Sequence, residues 1–460
     1  MNSRRLFVAS CITLVASAFS FIVRGDVLPA WGQQFNLSST QLGTISGMAF
    51  LGMAIAMLVG APLCDTLGMK LVIGLAFLSH LVGALLTLGT PYLAKPGAGI
   101  DPFTLLSAAT FLVGAGNGLV EIAINPLAAT LYPTKKTHML NILHAWWPGG
   151  LMLGGIITLV LNSGLGLNKL DSANLQLGWQ VKVALILIPT LLYGIMFLVE
   201  KMPVTERVAS GVTTAEMFGQ AVRPMFLLWA FCMLLTASTE LAPQGMQSLV
   251  LNKTAGMSGT VIVIYTSAIM FVLRHFAGPI AHRFSPVGML IGSSVLSAIG
   301  LYALSFAFDP TTAVLAATVY GLGIVYFWPT MLGVTAERFP RGGALLLGLI
   351  GCIGNVAVGL AQPTMGGIND RVTIAAIPSE VQPKVIVDGT IKDDLVAALP
   401  AAEKAQVEAA QKSGAQWSFR YVSALPLLLV VLFAGIAISD KAKGGYMPEK
   451  LPEATVATDY

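Results

Sequence analysis

Three carboxylates, Asp26, Glu121 and Glu240, stand inside stretches that are otherwise apolar. An ionised carboxylate at the centre of a membrane span costs about 2.5–3.5 kcal/mol even on a lenient insertion scale. Withdrawal from water brings the uncharged form within reach, so such a group can load a proton on one side of a membrane and release it on the other. Glu121 has three readings: proton coupling, binding of substrate hydroxyls, or structural pairing with a base. Asp26 follows Arg24 by two residues and is either a proton-relay group or a static partner of Arg24 or Arg274. Arg274, beside His275, is expected to pair with Glu121 or Glu240 or to bind an anionic substrate directly, which keeps acidic sugars in play. Glu240 lies among Ser238, Thr239 and Gln244, oxygen ligands suited to substrate hydroxyls or a sodium ion; a structural remnant of duplication is its rival reading.

Amides bind hydroxyls in their plane, and aromatic faces cover the apolar faces of a ring. Asn125, Asn141, His144, Trp146, Trp147, Gln244, Gln247, Tyr265, Tyr326, Trp328, Asn355 and Gln362 supply both kinds of group. Tryptophan and tyrosine near the end of a span are also common interface anchors. Asn141, His144 and Trp147 recur every third residue, broadly along one helix face, and a satisfied interhelical histidine is the competing reading of His144. Asp65, Lys70, Arg283, Glu337 and Arg338 fall at the ends of apolar stretches. There they serve either as a gating network between helix ends or as topological signals alone. Five dispersed histidines and the single cysteines Cys11, Cys64, Cys232 and Cys352 offer no metal-ligand spacing. No metal, cofactor or covalent catalysis is expected, and the cysteines read as packing residues.

The elements that must position these groups follow from composition. The 460 residues are 55% hydrophobic and only 10% charged, against about 25% charged in soluble domains, so the chain belongs in a bilayer. Its net charge of +4 implies no nucleic-acid partner. Apolar stretches fall at 6–34, 39–63, 71–91, 102–132, 139–163, 178–200, 222–251, 259–283, 287–308, 311–337, 342–368 and 417–439. Twelve helices are predicted, with Ser38 and Gln41 as a capping box before the second and Ser258 capping the eighth. Arg4, Arg5 and Ala16-Ser17-Ala18 imitate a cleaved leader, but the apolar character continues to Trp31, and an uncleaved first span is expected. An even number of spans puts both termini on one side. Lys70, Lys135, Lys136, Lys201, Arg207 and Arg223 share that side with them, while Lys95, Lys169 and Lys253 lie opposite. Both termini are therefore predicted to be cytoplasmic. Residues 201–221 form a polar break between two halves, 1–200 and 222–439, and 440–460 is a cytoplasmic tail. The acidic stretch 369–416 reads as a periplasmic insertion, with a helical alanine-rich pattern over 392–412.

An internal repeat supports two halves. Gly60-Ala61-Pro62-Leu63-Cys64-Asp65 with Gly74 matches Gly278-Pro279-Ile280-Ala281-His282-Arg283 with Gly292 at equal spacing. Asp26 and Pro29 match Glu240 and Pro243, and Asn125-Pro126 matches Trp328-Pro329. Pro126, Pro329 and Pro363 should bend their helices and free carbonyls for neighbours. Gly348, Gly351 and Gly354, like Gly150 and Gly154, invite close helix approach. Parallel six-helix repeats with a site between them at the midplane describe a secondary transporter.

The stretch Gly60 to Asp65, continued by Thr66, Gly68 and Lys70, resembles the loop signature between helices two and three of the major facilitator superfamily, with Thr66 where an arginine is usual. The resemblance implies that Asp65 and its loop act as a conformational latch. Asp26-Val27-Leu28-Pro29 with Gln33-Gln34-Phe35, Glu121 through Pro126, and Leu140-Asn141 are similar to the fucose permease type of sugar:proton symporter. By position, Asp26 and Glu121 then correspond to that family's protonatable carboxylates. His144 and Trp146-Trp147-Pro148 replace smaller polar residues, and the 369–416 insertion is foreign to the family. The expectation is an all-α membrane protein of the major facilitator fold in a bacterial-type inner membrane. It would work as a monomer and import a monosaccharide or polyol with a proton. Sodium coupling, a sugar-acid substrate, proton-coupled export and a transporter-like sensor are the alternatives.

Overall fold

The structure, a computed structural model, describes residues 2–37, 39–94, 99–167, 175–255, 259–387 and 389–451. Ser38, Lys95, Lys169 and Ser258 lie outside the described residues, as do the side chains of Gln247 and Lys253. The first half comprises α1 (Ser3–Gln34), α2 (Ser39–Leu67), α3 (Met69–Leu93), α4 (Pro102–Leu131) and α5 (Lys136–Leu165), with a sixth span made of α6 (Leu175–Ala184) and α7 (Leu187–Val199). Short α8 (Glu206–Ala209) and α9 (Thr214–Ala221) lie in the connection. The second half holds α10 (Pro224–Ala255), α11 (Gly259–Arg274), α12 (Ala277–Leu304), α13 (Pro310–Ile324), α14 (Phe327–Arg338) and α15 (Gly343–Ala376). After these come α16 (Gln382–Val385), the strands β1 (Ile386–Val387) and β2 (Thr390–Ile391), α17 (Asp393–Ala397), α18 (Ala401–Val422) and α19 (Ala424–Ala442).

Among the described residues, eleven helical segments are long and apolar enough to cross a membrane, and the shorter Val261–Arg274 completes twelve. Leu58, Val59, Leu71, Ile188, Leu198, Leu315 and Val431 remain exposed on the outside of the bundle, as a surface solvated by lipid chains requires. Asp101 caps α4 by accepting from the Thr104 N–H, and Asp309 caps α13 through the Thr311 and Thr312 N–H groups.

The eighth and ninth spans divide within α12 and not at its start. Ser285 has φ 63° and ψ 159° inside it, so residues 277–284 continue the span begun by α11 and residues 286–304 form the next. Gly68 introduces α3 with φ 83° and ψ 143°, which makes the two halves turn alike after their second helices.

The insertion is smaller than the apolar pattern suggests. Helix α15 runs on to Ala376 and α18 begins at Ala401, so 369–376 and 401–416 are extensions of flanking spans. The helical pattern over 392–412 is interrupted before Ala401, where Pro400 has an extended backbone and precedes the first turn. What remains is a knob with its own core of Ile377, Val381, Val385, Val396, Val407 and Ala410. In its hairpin Ile386 pairs with Ile391 and Val387 with Thr390.

The halves meet along two seams, α2 against α15 and α5 against α11. A Cβ on Gly348 would lie 2.3 Å from the Ala61 Cβ, and Gly351 sits on Met57. Gly150 and Gly154 instead bring α5 against Ala18 and Ile22 of α1 within the first half.

Candidate functional site

Four prolines determine which backbone carbonyls are free in the centre of the molecule. Proline lacks an N–H, so the carbonyl four residues before it loses its helical donor. Pro148 in α5 releases His144 O, and Pro329 in α14 releases Val325 O. Arg274 serves both, donating Nη1 to His144 O at 2.7 Å and Nε to Val325 O at 2.7 Å. Pro126 releases Ile122 O, which accepts from the Cys64 thiol at 3.3 Å. Pro243 releases Thr239 O, which accepts from the Tyr320 hydroxyl at 3.0 Å.

With two donors so placed, Arg274 directs its remaining Nη2 to Glu240 Oε1 at 3.0 Å. Both side chains are almost wholly buried. The other oxygen of Glu240 accepts from the Trp328 N–H at 3.2 Å, in the first turn of α14, where unpaired N–H groups favour an anion. Of the two expected partners of Arg274, the structure selects Glu240.

Glu121 is in a different situation. Its Oε2 accepts from Asn125 Nδ2 at 2.8 Å, and the Asn125 Oδ1 lies 2.9 Å from His144 Nε2. Since the amide nitrogen faces the carboxylate, its oxygen must accept, and the His144 proton sits on Nε2. That nitrogen is 3.7 Å from Glu121 Oε2. Among the described residues no lysine or arginine forms an ion pair with Glu121.

Both carboxylates face one cavity of about 260 Å³ between the halves, just below the usual range for small-molecule pockets. Of the residues expected at the site, it brings together Glu121, His144, Trp147, Glu240, Gln244, Arg274, Trp328 and Asn355, with Gln362. Asn125 stands immediately behind. Sequence reasoning missed the apolar wall of Phe21, Phe50 and Met53, from α1 and α2. Phe21 packs edge-on against Trp147 at 5.0 Å and Phe50 at 5.3 Å; phenylalanines in an apolar span carry no local signal of where they face.

Five expected residues are elsewhere: Trp146 packs edge-on against Phe271, the Tyr326 hydroxyl donates to Leu273 O at 2.9 Å, and Asp26, Asn141 and Tyr265 have partners of their own. Asp26 pairs with Lys182 of α6 at 2.5 Å and accepts from Asn162 Nδ2 at 2.8 Å, so its partner is neither Arg24 nor Arg274. Lys182 is one of the basic residues that sequence reasoning left unassigned. Asn141 donates to Thr137 O and, at 3.3 Å, to Thr330 of the second half. The Tyr265 hydroxyl meets Thr318 at 2.7 Å within the second half.

At the end of the molecule that carries the described chain ends, the halves are tied together. Asp65, whose carboxylate side chain is buried, accepts from Arg207 Nε at 2.7 Å and Thr205 Oγ1 at 2.6 Å. Thr66 stands where the signature usually has an arginine, and the arginine that contacts Asp65 belongs to the connecting segment. Gly343 has φ 48° and comes so near that a Cβ would lie 2.9 Å from Asp65 Oδ2. Glu337 accepts from Thr137 N and Oγ1 at 3.0 and 2.7 Å. Lys136 pairs with Glu206 at 2.5 Å, and Arg338 pairs with Asp440. Lys70 caps carbonyls of Leu198 and Glu200 within the first half. Arg283 lies over the Phe284 ring and forms no ion pair among the described residues.

Residues 6–363, most of the two six-helix halves and the cavity between them, are matched by the family model described as Major Facilitator Superfamily. The chain belongs to this superfamily. Its fold and family are those of multi-pass membrane transporters. Among solved structures, it resembles the fucose:proton symporter FucP of E. coli with a TM-score of 0.65 and 16% identity, covering 92% of this chain and 98% of that one. A structure of the proton:xylose symporter XylE gives a TM-score of 0.69 at 14% identity, covering 94% and 95%. By sequence, superfamily relatives include the gentisate transporter of Corynebacterium glutamicum, 27% identical over 74% of this chain and 77% of that protein. The cis,cis-muconate transport protein of Acinetobacter baylyi is 24% identical over 78% and 86%.

Proposed function

We propose that the protein imports a monosaccharide or related polyol together with a proton, by alternating access, across a bacterial-type inner membrane with both termini in the cytoplasm. The observation that carries this reading is the unequal treatment of the two cavity carboxylates. Glu240 is neutralised by Arg274 and held by the Trp328 N–H, whereas Glu121 has only an amide and a histidine N–H beside it. A neutral solute arriving with one proton leaves such a cavity without net charge. The amides of Gln244, Asn355 and Gln362 offer bonds to hydroxyls, and Trp147 and Trp328 offer faces for a ring. Glu121 is the coupling group in this reading. Asp26 would regulate proton access from its pair with Lys182, and the Asp65 and Glu337 contacts would form the cytoplasmic gate. One charge crossing 100 mV releases about 2.3 kcal/mol, enough for roughly 50-fold accumulation of a neutral solute.

A second reading draws on the gentisate and muconate relatives and on the aromatic wall of Phe21, Phe50 and Trp147. An aromatic or sugar acid would place its carboxylate on Arg274, displacing Glu240, which must then take up the proton.

External pH, followed in de-energised vesicles while neutral sugars, sugar acids, gentisate and cis,cis-muconate are added in turn, separates these readings. Alkalinisation by a neutral sugar, abolished in Glu121→Gln, supports the first. Alkalinisation by acids alone, abolished in Glu240→Gln, supports the second. Silence toward every compound with and without sodium removes both and leaves export or sensing.

A further inference from the structure

At the face that carries the chain ends, the segment after α19 turns back across the second half. Gly444 and Gly445 have φ 97° and 115°, a backbone that glycine adopts without strain, and their N–H groups close the helix onto Lys441 O and Asp440 O. The chain leaving this turn runs over the end of α14. There the Glu449 N–H donates to Glu337 O at 2.8 Å, one of the carbonyls that a helix end leaves unpaired. The Glu449 carboxylate accepts from Arg341 Nε at 3.1 Å, just before α15, and from Arg223 Nη1 at 3.2 Å, just before α10. Residues 444–449 thereby strap together the ends of α10, α14, α15 and α19.

One side chain of this strap reaches the contact between the halves. The Tyr446 hydroxyl donates to Glu337 Oε2 at 2.5 Å, while Glu337 Oε1 accepts from the Thr137 N–H and hydroxyl of the first half. Withdrawal from water, and then the Glu337 charge, push the Tyr446 phenol well above its usual range, so the phenol keeps its proton and is the donor. Its ring lies under the Arg338 guanidinium, 4.7 Å from the centroid, and Arg338 is itself paired with Asp440 of α19. Thr137, Glu337 and Tyr446 line one open cleft between the halves. Ordering a free glutamate side chain costs about 1.5–2 kcal/mol of rotamer entropy. A partner that already holds one carboxylate oxygen leaves the other oriented before Thr137 arrives.

We propose that Tyr446 is a positioning residue for the gate: it holds the Glu337 carboxylate toward Thr137, so that the strap sets how firmly this face closes. This rests on the reading of Glu337 as a gate residue.

Tyr446→Phe removes the hydroxyl and keeps the ring beside Arg338. In the full-length protein in nanodiscs, spin-label distances between the ends of α4 and α14 should show the ratio of open to closed molecules on this face raised about tenfold, the loss of one hydrogen bond to a charged acceptor. The same substitution in a Glu337→Ala background should change the ratio by less than about twofold, because a residue that acts through Glu337 then has nothing to position. An unchanged ratio in Tyr446→Phe, with opening in Glu337→Ala, would overturn the proposal and leave the gate standing. Equal rises in both backgrounds would also overturn it and make Tyr446 a packing residue. No opening in Glu337→Ala would remove Glu337 from the gate, and the proposal with it.

Discussion

Arg274 is the residue whose role depends most on groups distant in sequence. Its three polar contacts are two carbonyls released by Pro148 and Pro329 and the carboxylate of Glu240, so its removal orphans three acceptors at once. Breaking a buried ion pair from one side typically costs 3–5 kcal/mol. Arg274→Met is expected to lose about that much, read as a lowered unfolding midpoint in detergent. Arg274→Lys should recover only part, because one ammonium cannot reproduce the guanidinium fork. The cavity carboxylates give a sharper contrast. Glu240→Gln strands the Arg274 charge and should destabilise by several kcal/mol, whereas Glu121→Gln strands none and should remain within about 1 kcal/mol of the parent. Equal losses in the two variants would show that Glu121 also has a cationic partner.

At the scale of elements, the two halves use one backbone solution with different residues. Gly68 and Ser285 both stand at positive φ before a descending helix. A Cβ on Gly68 would meet nothing within 4 Å, so Gly68→Ala tests conformation without a clash. It should cost about 1–2 kcal/mol, measured as a shift in unfolding midpoint. Ser285→Gly should be close to neutral, because relief of the same strain is offset by loss of the cap that its hydroxyl gives the Gly288 N–H at 3.2 Å. A large loss in Ser285→Gly would mean that the cap, and not the backbone, governs this turn.

For the whole molecule, the proposed gate consists of the contacts at the face that carries the chain ends. Asp65 to Arg207, Thr137 to Glu337 and Lys136 to Glu206 link the halves and their connection, while Gly348 brings the α2 and α15 seam together. Of these, the Thr137 to Glu337 contact and the α2 and α15 seam bridge the halves directly, and in the proposed cycle they are the ones expected to part when the cavity opens on that face. Glu337→Gln should weaken closure by about 1–3 kcal/mol and raise the population open there. Gly348→Val, which places side-chain atoms where Ala61 packs, should raise it further. Distances between spin labels at the ends of α4 and α14 read this directly, and an unchanged distribution in both variants would remove these contacts from the gate.

The apolar runs specified twelve membrane helices, because length and composition are local to one segment. The repeat likewise announced two halves, and Pro126 and Pro329 announced two of the freed carbonyls, since both are arithmetic on positions along one chain, whereas the carbonyls freed by Pro148 and Pro243 were recognised only in the structure. Glu121, Glu240 and Arg274 were visible because charge inside an apolar run is costly wherever it stands. Partners were not visible. That Arg274 takes Glu240, that Asp26 takes Lys182, and that Arg207 of the connection takes Asp65 depend on which helix faces meet. So does the inward turn of Phe21 and Phe50, while Tyr265 and Asn141 point elsewhere. In a span that is apolar on every side, helical periodicity does not distinguish a face toward lipid from one toward a cavity, and only tertiary packing decides between them.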